Sequence, residues 1–163
     1  MTGSSTCGIS NTLTNDYLGS DPSGHAVNVE SFFDHNDWLY AGRQEDSGST
    51  NYDDVDINIG FSATNVGVTG ATSGDWSINN DAWSTYTDIM LVFKGGSSCS
   101  VTGFLLNGSA TNGTWGCDVF NQDTSHISAY ARTSAIPVPA AIWLMGSALA
   151  GFVGFQRFKR NEA

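Results

Sequence analysis

The chain has 163 residues, 16 of them acidic and six basic, and carries a formal charge of −10, which leaves room for one domain of about 100–150 residues and a short appendage. Only three of the six basic residues but 15 of the 16 acidic ones precede residue 136, so this stretch carries −12; it repels phosphate backbones and anionic lipid, which excludes nucleic acid as a partner. The charged fraction of 13 %, beside 40 % hydrophobic residues and 19 glycines, excludes a disordered polyanion and suits a turn-rich β domain.

In chain order, the opening "MTGSSTCGISNTLTNDYLGS" has neither the charged start nor the apolar run of a secretion signal. Turn-forming clusters then recur: "DPSG" at 21–24, "EDSGSTN" at 45–51, "TSGDW" at 72–76, "KGGSS" at 94–98 and "NGSATNG" at 107–113. Between them the pattern predicts strands at 25–33, 38–42, 55–61, 65–69, 75–78, 89–93, 101–106 and 126–131, with a single helical turn at 81–86. "DIMLVFKG" is apolar on both faces and should be a central strand. About eight short strands with glycine-rich turns predict an all-β body over residues 1–135, an antiparallel β-sandwich of jelly-roll type.

The residues that could carry chemistry leave few options. Cys99 and Cys117 flank a predicted hairpin through "NGSATNG", and in an oxidising compartment a disulfide between them would contribute roughly 3 kcal/mol; two free buried thiols are the alternative. Cys7 is then the odd cysteine, and no C-x-x-C pair supports structural zinc. Asp53, Asp54 and Asp56, or Asp16 and Asp21, offer oxygen atoms to calcium but match no calcium-loop pattern, so no metal or other cofactor is expected. His25, His35 and His126 accompany many Ser and Asp without a G-x-S-x-G or H-E-x-x-H motif, so the protein is expected not to be an enzyme. Trp38, Trp76, Trp83 and Trp115 could fill the core of a small sandwich. Exposed, they could instead stack on sugar rings, as in a carbohydrate-binding module assisted by calcium-loaded loops.

The last 28 residues, "IPVPAAIWLMGSALAGFVGFQRFKRNEA", differ from everything before them. Residues 140–155 hold no charge and, Ser147 apart, no polar side chain; as a helix they would span roughly 24 Å, a minimal crossing of the ~30 Å hydrocarbon core. Pro137 and Pro139 set the predicted helix start, and Trp143 falls at headgroup depth. Gly146, Gly151 and Gly154 are small residues typical of membrane helices, and Phe155 closes the uncharged run. Arg157, Lys159 and Arg160 follow it and should stay cytoplasmic by the positive-inside rule, leaving the acidic body outside.

Ile136-Pro137-Val138-Pro139-Ala140, the single predicted transmembrane helix and the basic end together resemble the C-terminal sorting signal of exosortase substrates, the PEP-CTERM class in its VPxPA (VPLPA-CTERM) variant, over residues 136–163. The body resembles, more loosely, a domain that recurs in such sorted proteins. The matching segments are His35-Asn36-Asp37-Trp38, Ser73-Gly74-Asp75-Trp76, Asp88 to Gly95, Gly113-Thr114-Trp115 and Ser125-His126-Ile127-Ser128-Ala129-Tyr130. The resemblance implies a precursor held in the inner membrane of a Gram-negative bacterium and cleaved by an exosortase near the proline motif. It also implies a mature non-enzymatic protein at the cell surface or secreted, in association with exopolysaccharide and biofilm. Substrates of that class carry an N-terminal secretion signal, so the expectation is that the true N-terminus lies upstream of Met1.

Overall fold

Alternating apolar residues bounded by glycine-rich turns make strands, and strands that bury one face must pair that face with a second layer. The computed structural model describes residues 1–10, 25–46, 49–51, 55–95, 101–116 and 124–133. In chain order their elements are β1 (Ser4–Ile9), α1 (Ala26–Val29), a 3-10 turn (Phe32–Asp34), β2 (Leu39–Asp46), β3 (Ser49–Asn51), β4 (Ser62–Ala63) and β5 (Ser73–Ser77). They continue with α2 (Ala82–Thr85), β6 (Asp88–Gly95), β7 (Val101–Leu106), β8 (Asn112–Gly116) and β9 (Thr124–Arg132). Six strands form one antiparallel sheet in the order β1-β7-β6-β9-β2-β3, and β4-β5-β8 form a second.

β6 is the central strand that its apolar sequence requires, paired along its length with β7 and β9. Ile89 and Leu91 point into the core shared with the small sheet, where they meet Ala63, Trp76 and Trp115. Met90 and Val92 point to the opposite face, beneath Val27, Phe32 and Trp38. The large sheet is thus covered twice, by the small sheet on one side and by residues 25–38 on the other.

That second cover is held by polar detail rather than by a ladder. Asn28 is buried and replaces a strand neighbour for Trp38: its Nδ2 donates to the Trp38 carbonyl (2.8 Å) and its Oδ1 accepts the Trp38 backbone N–H (2.8 Å). The Trp38 indole donates to the Phe32 carbonyl at 3.0 Å. Ser31, Phe33 and Asp34 all take left-handed backbone angles, with φ of 52°, 55° and 64°. This tight reversal lays the Phe32 and Phe33 rings over Gly103 and Gly8, which are register partners on β7 and β1. A side chain at Gly103 would collide with Phe32, so the glycines form the trough that receives the rings.

Several strand expectations are corrected. Residues 25–33 form α1 and the 3-10 turn instead of a strand, because four consecutive side chains from His25 to Asn28 are buried and strand alternation cannot do that. Residues 55–61 run through the core without a ladder, bonded at Asp56 N and Ile57 N to the Tyr40 carbonyl, and turn at Gly60 with φ of 62°. Residues 65–69 are turns. β7 and β8 belong to different sheets, so "NGSATNG" is a crossing between layers and not the expected hairpin. Cys99 and Cys117 lie outside the described residues, as do Asp16, Asp21, Asp53, Asp54 and residues 136–163 with the sorting motif, the expected helix and the basic end. Among the described residues no helix is long and apolar enough to cross a membrane.

Candidate functional site on the outer face of the small sheet

The small sheet is built on two copies of a glycine–x–tryptophan pattern, Gly74-Asp75-Trp76 on β5 and Gly113-Thr114-Trp115 on β8. Their register sets Gly74 opposite Trp115, Trp76 opposite Gly113, and Asp75 opposite Thr114. Strand alternation turns both glycines and both tryptophans inward and sends Asp75 and Thr114 outward. Each indole covers the glycine across from it: a Cβ built on Gly74 or on Gly113 would sit 2.7 Å from the indole nitrogen of Trp115 or Trp76. The same nitrogens donate to the carbonyls of Thr64 (3.2 Å) and Thr2 (3.3 Å), the chain segments flanking the sheet on either side.

The outward residues form two short rows. Ser62, Ser77 and Asn112 make one, with the two serine hydroxyls 3.1 Å apart. Thr64, Asp75 and Thr114 make the other, extended by Thr2, whose hydroxyl lies 3.1 Å from that of Thr114 and accepts the Thr114 N–H at 2.7 Å. Thr64 accepts the Asp75 backbone N–H at 2.9 Å. The Asp75 carboxylate is exposed and accepts no bond from the described residues. Grooves of about 330 and 620 Å³ adjoin it, and both share Asp75 and Thr114 in their walls.

The tryptophans singled out in the sequence serve the interior. Trp38, Trp76 and Trp115 are at most 2 % exposed, and Trp83 is half-buried with its indole donating to the Ala110 carbonyl at 2.8 Å. Three of the four rings therefore present no face to a sugar.

The histidines are likewise engaged within the fold. His25 is buried with its Nε2 3.0 Å from Asp56 Oδ2 and its ring against Tyr40 and Tyr130. The same Asp56 oxygen accepts the Tyr40 N–H at 2.7 Å, which fixes the carboxylate. His35 stands edge-on to Trp38, and His126 is buried beside Lys94 in the β6–β9 ladder. Among the described residues no group of three or more His, Cys, Asp and Glu could hold a metal ion.

A third polar cluster closes the end of β9. Arg132 Nε donates to Asp37 Oδ1 at 2.7 Å, and its Nη1 reaches Asp88 Oδ2 on the neighbouring strand. The hydrogen bond from Arg132 holds the Asp37 carboxyl below its usual value, and the same bond raises the guanidinium pKa. Asp37, from the His-x-Asp-Trp segment, is thus a clamp for β9.

The outer-face residues Ser62, Thr64, Ser77, Asn112 and Thr114 escape a search for catalytic or metal-ligand types. The signal that finds them is the repeated Gly-x-Trp spacing, which fixes the face on which x lies. No protein-family model matches the chain, nor does any curated protein or solved structure.

Proposed function

We propose that the protein is a non-enzymatic surface or extracellular-matrix protein, exported as an inner-membrane precursor of a Gram-negative bacterium and processed by an exosortase. Its body is a jelly-roll-like β-sandwich, followed by a single transmembrane helix over residues 140–155. One observation carries this reading: a Pro-x-Pro motif at 137–139, then 16 uncharged residues, then Arg157, Lys159 and Arg160, all at the end of a chain that is otherwise strongly acidic. The charge asymmetry orients the span, and the order of the three parts makes the tail a segment removed after use, as the hydrophobic tail of a lipid-anchor precursor is. The body supports a role in binding or display. Its histidines pack against carboxylate, indole and ladder neighbours, while Ser62, Thr64, Asp75, Ser77, Asn112 and Thr114 share one outer sheet face.

Mass spectrometry of the mature protein from the cells that make it tests the proposal. The expected C-terminal peptide ends near the proline motif, upstream of residue 140. Recovery of a mature chain that still ends at Ala163 overturns processing.

A further inference from the structure

We propose that the outer face of the β4–β5–β8 sheet, centred on Asp75, binds a neutral polysaccharide chain by hydrogen bonding rather than by aromatic stacking. The inference deepens the reading above by naming the surface that meets an extracellular polymer, and to that extent rests on it.

The chemistry starts at the carboxylate. An ionised Asp is an acceptor only, with about four lone-pair positions, and Asp75 uses none of them within the described structure. A ligand that satisfies it must bring donors, and adjacent hydroxyls on one sugar ring bring two at once, each a charge-assisted bond. Around it the paired hydroxyls of Ser62 and Ser77, and of Thr2 and Thr114, each retain acceptor capacity after bonding one another. The face thus surrounds an acceptor-only carboxylate with hydroxyls that can each take part in a further hydrogen bond.

Charge selects among such ligands. Among the described residues Asp75 is the one charged side chain in the walls of the two grooves, and it sits on a body of formal charge −12, so an anionic polymer is repelled. A calcium ion wants six to eight oxygen ligands, usually from several carboxylates, and among the described residues only one carboxylate lies on the face. A neutral chain meets neither obstacle. The grooves of about 330 and 620 Å³ fall within the ~300–1,000 Å³ range of ligand sites and lie side by side across Asp75, an arrangement suited to successive units of a polymer.

Rigidity favours the same conclusion. The interlocked glycine–tryptophan pairs fix the floor of the face, and Ser, Thr and Asp have few rotamers to lose, so little ordering cost is charged against each bond formed.

The test is affinity electrophoresis of the full-length protein in neutral detergent, through native gels containing dextran, hydroxyethylcellulose or galactomannan, with alginate as the anionic probe. Retardation by at least one neutral polymer and none by alginate is expected. Asp75→Ala and Thr114→Val should each weaken it ten-fold or more with melting temperatures within a degree or two of the parent. Ser109→Ala, on an exposed turn that lines neither groove, should leave it unchanged. Absence of retardation in all three neutral gels, retardation by alginate alone, or an Asp75→Ala variant retarded like the parent overturns the proposal. The C-terminus found by mass spectrometry is scored separately. Retardation with an intact Ala163 end defeats sorting and leaves the binding face standing, and a processed end without retardation does the reverse.

Discussion

Arg132 ends β9 with a side chain only 10 % exposed, held by two carboxylates from different parts of the fold, one half-exposed and one 30 % exposed. Replacing it with Met keeps most of the buried stem and deletes both bonds, so Arg132→Met should lower stability by about 1–2 kcal/mol, measured by urea denaturation. The loss stays modest because Asp37 and Asp88 both reach solvent and are not stranded in the interior. The Asp37 bond also gives an acid dependence of defined sign. Its folded pKa lies below the reference 3.8, so its contribution is complete above that value and is lost as pH falls through the folded pKa. The melting-temperature gap between the parent and Asp37→Asn should therefore be constant at neutral pH and close at lower pH. Half-exposure limits the underlying stability difference to roughly 1 kcal/mol or less. A gap unchanged down to pH 2 would remove Asp37 from the clamp. Asn28 is the costlier residue, because Asn28→Ala leaves both a buried N–H and a buried carbonyl of Trp38 without partners, at about 1–3 kcal/mol each. Its role was not legible in "HAVNVESFF", where the apolar spacing fits a strand and nothing marks one amide as the stand-in for a neighbouring chain.

At the scale of elements, the strands that the sequence revealed are those whose side chains alternate or are wholly apolar. β6, β7 and β9 were legible for that reason, as was β5 through its terminal Trp. β1 and β8 were not. β1, "SSTCGI", is an edge strand whose side chains are mostly exposed, and polar edges carry little hydrophobic signal. β8, "NGTWG", resembles a turn because of its glycines, yet Gly113 is there because Trp76 occupies the space of its missing side chain. The outer face inherits that blindness. Asp75 and Thr114 are ordinary surface residues until the register sets them opposite one another. The reciprocal pairing predicts that Gly113→Ala, which would push a methyl group against the Trp76 indole and the Thr2 carbonyl, costs about 1–3 kcal/mol. Gly108→Ala, where the added methyl group meets nothing within 4 Å, should be nearly silent. Equal effects at the two glycines in urea titrations would show that the interlock does not hold the small sheet.

Across the whole molecule, the acidic body and basic tail end make orientation the property on which the sorting proposal stands, and the fold supplies a native reporter for it. Among the described residues Cys7, exposed on edge strand β1, is a free cysteine. Trypsin cleaves after lysine and arginine, and the next such residue after Cys7 is Arg43, so Cys7 falls on a peptide apart from Cys99 and Cys117, which both lie between Lys94 and Arg132. On the sorting proposal, in which the positive-inside rule keeps Arg157, Lys159 and Arg160 in the cytoplasm and the body on the far side, a membrane-impermeant maleimide added to spheroplasts of the producing cells should label the tryptic peptide that ends at Arg43 before lysis. An exposed thiol reacts when the reagent is in excess at mildly alkaline pH. The same reagent applied after detergent lysis gives the ceiling for labelling. Equal labelling before and after lysis places the body outside the membrane. Labelling that appears only after lysis places it in the cytoplasm, where neither an extracytoplasmic protease nor an extracellular polysaccharide could reach it, and removes the orientation on which sorting depends.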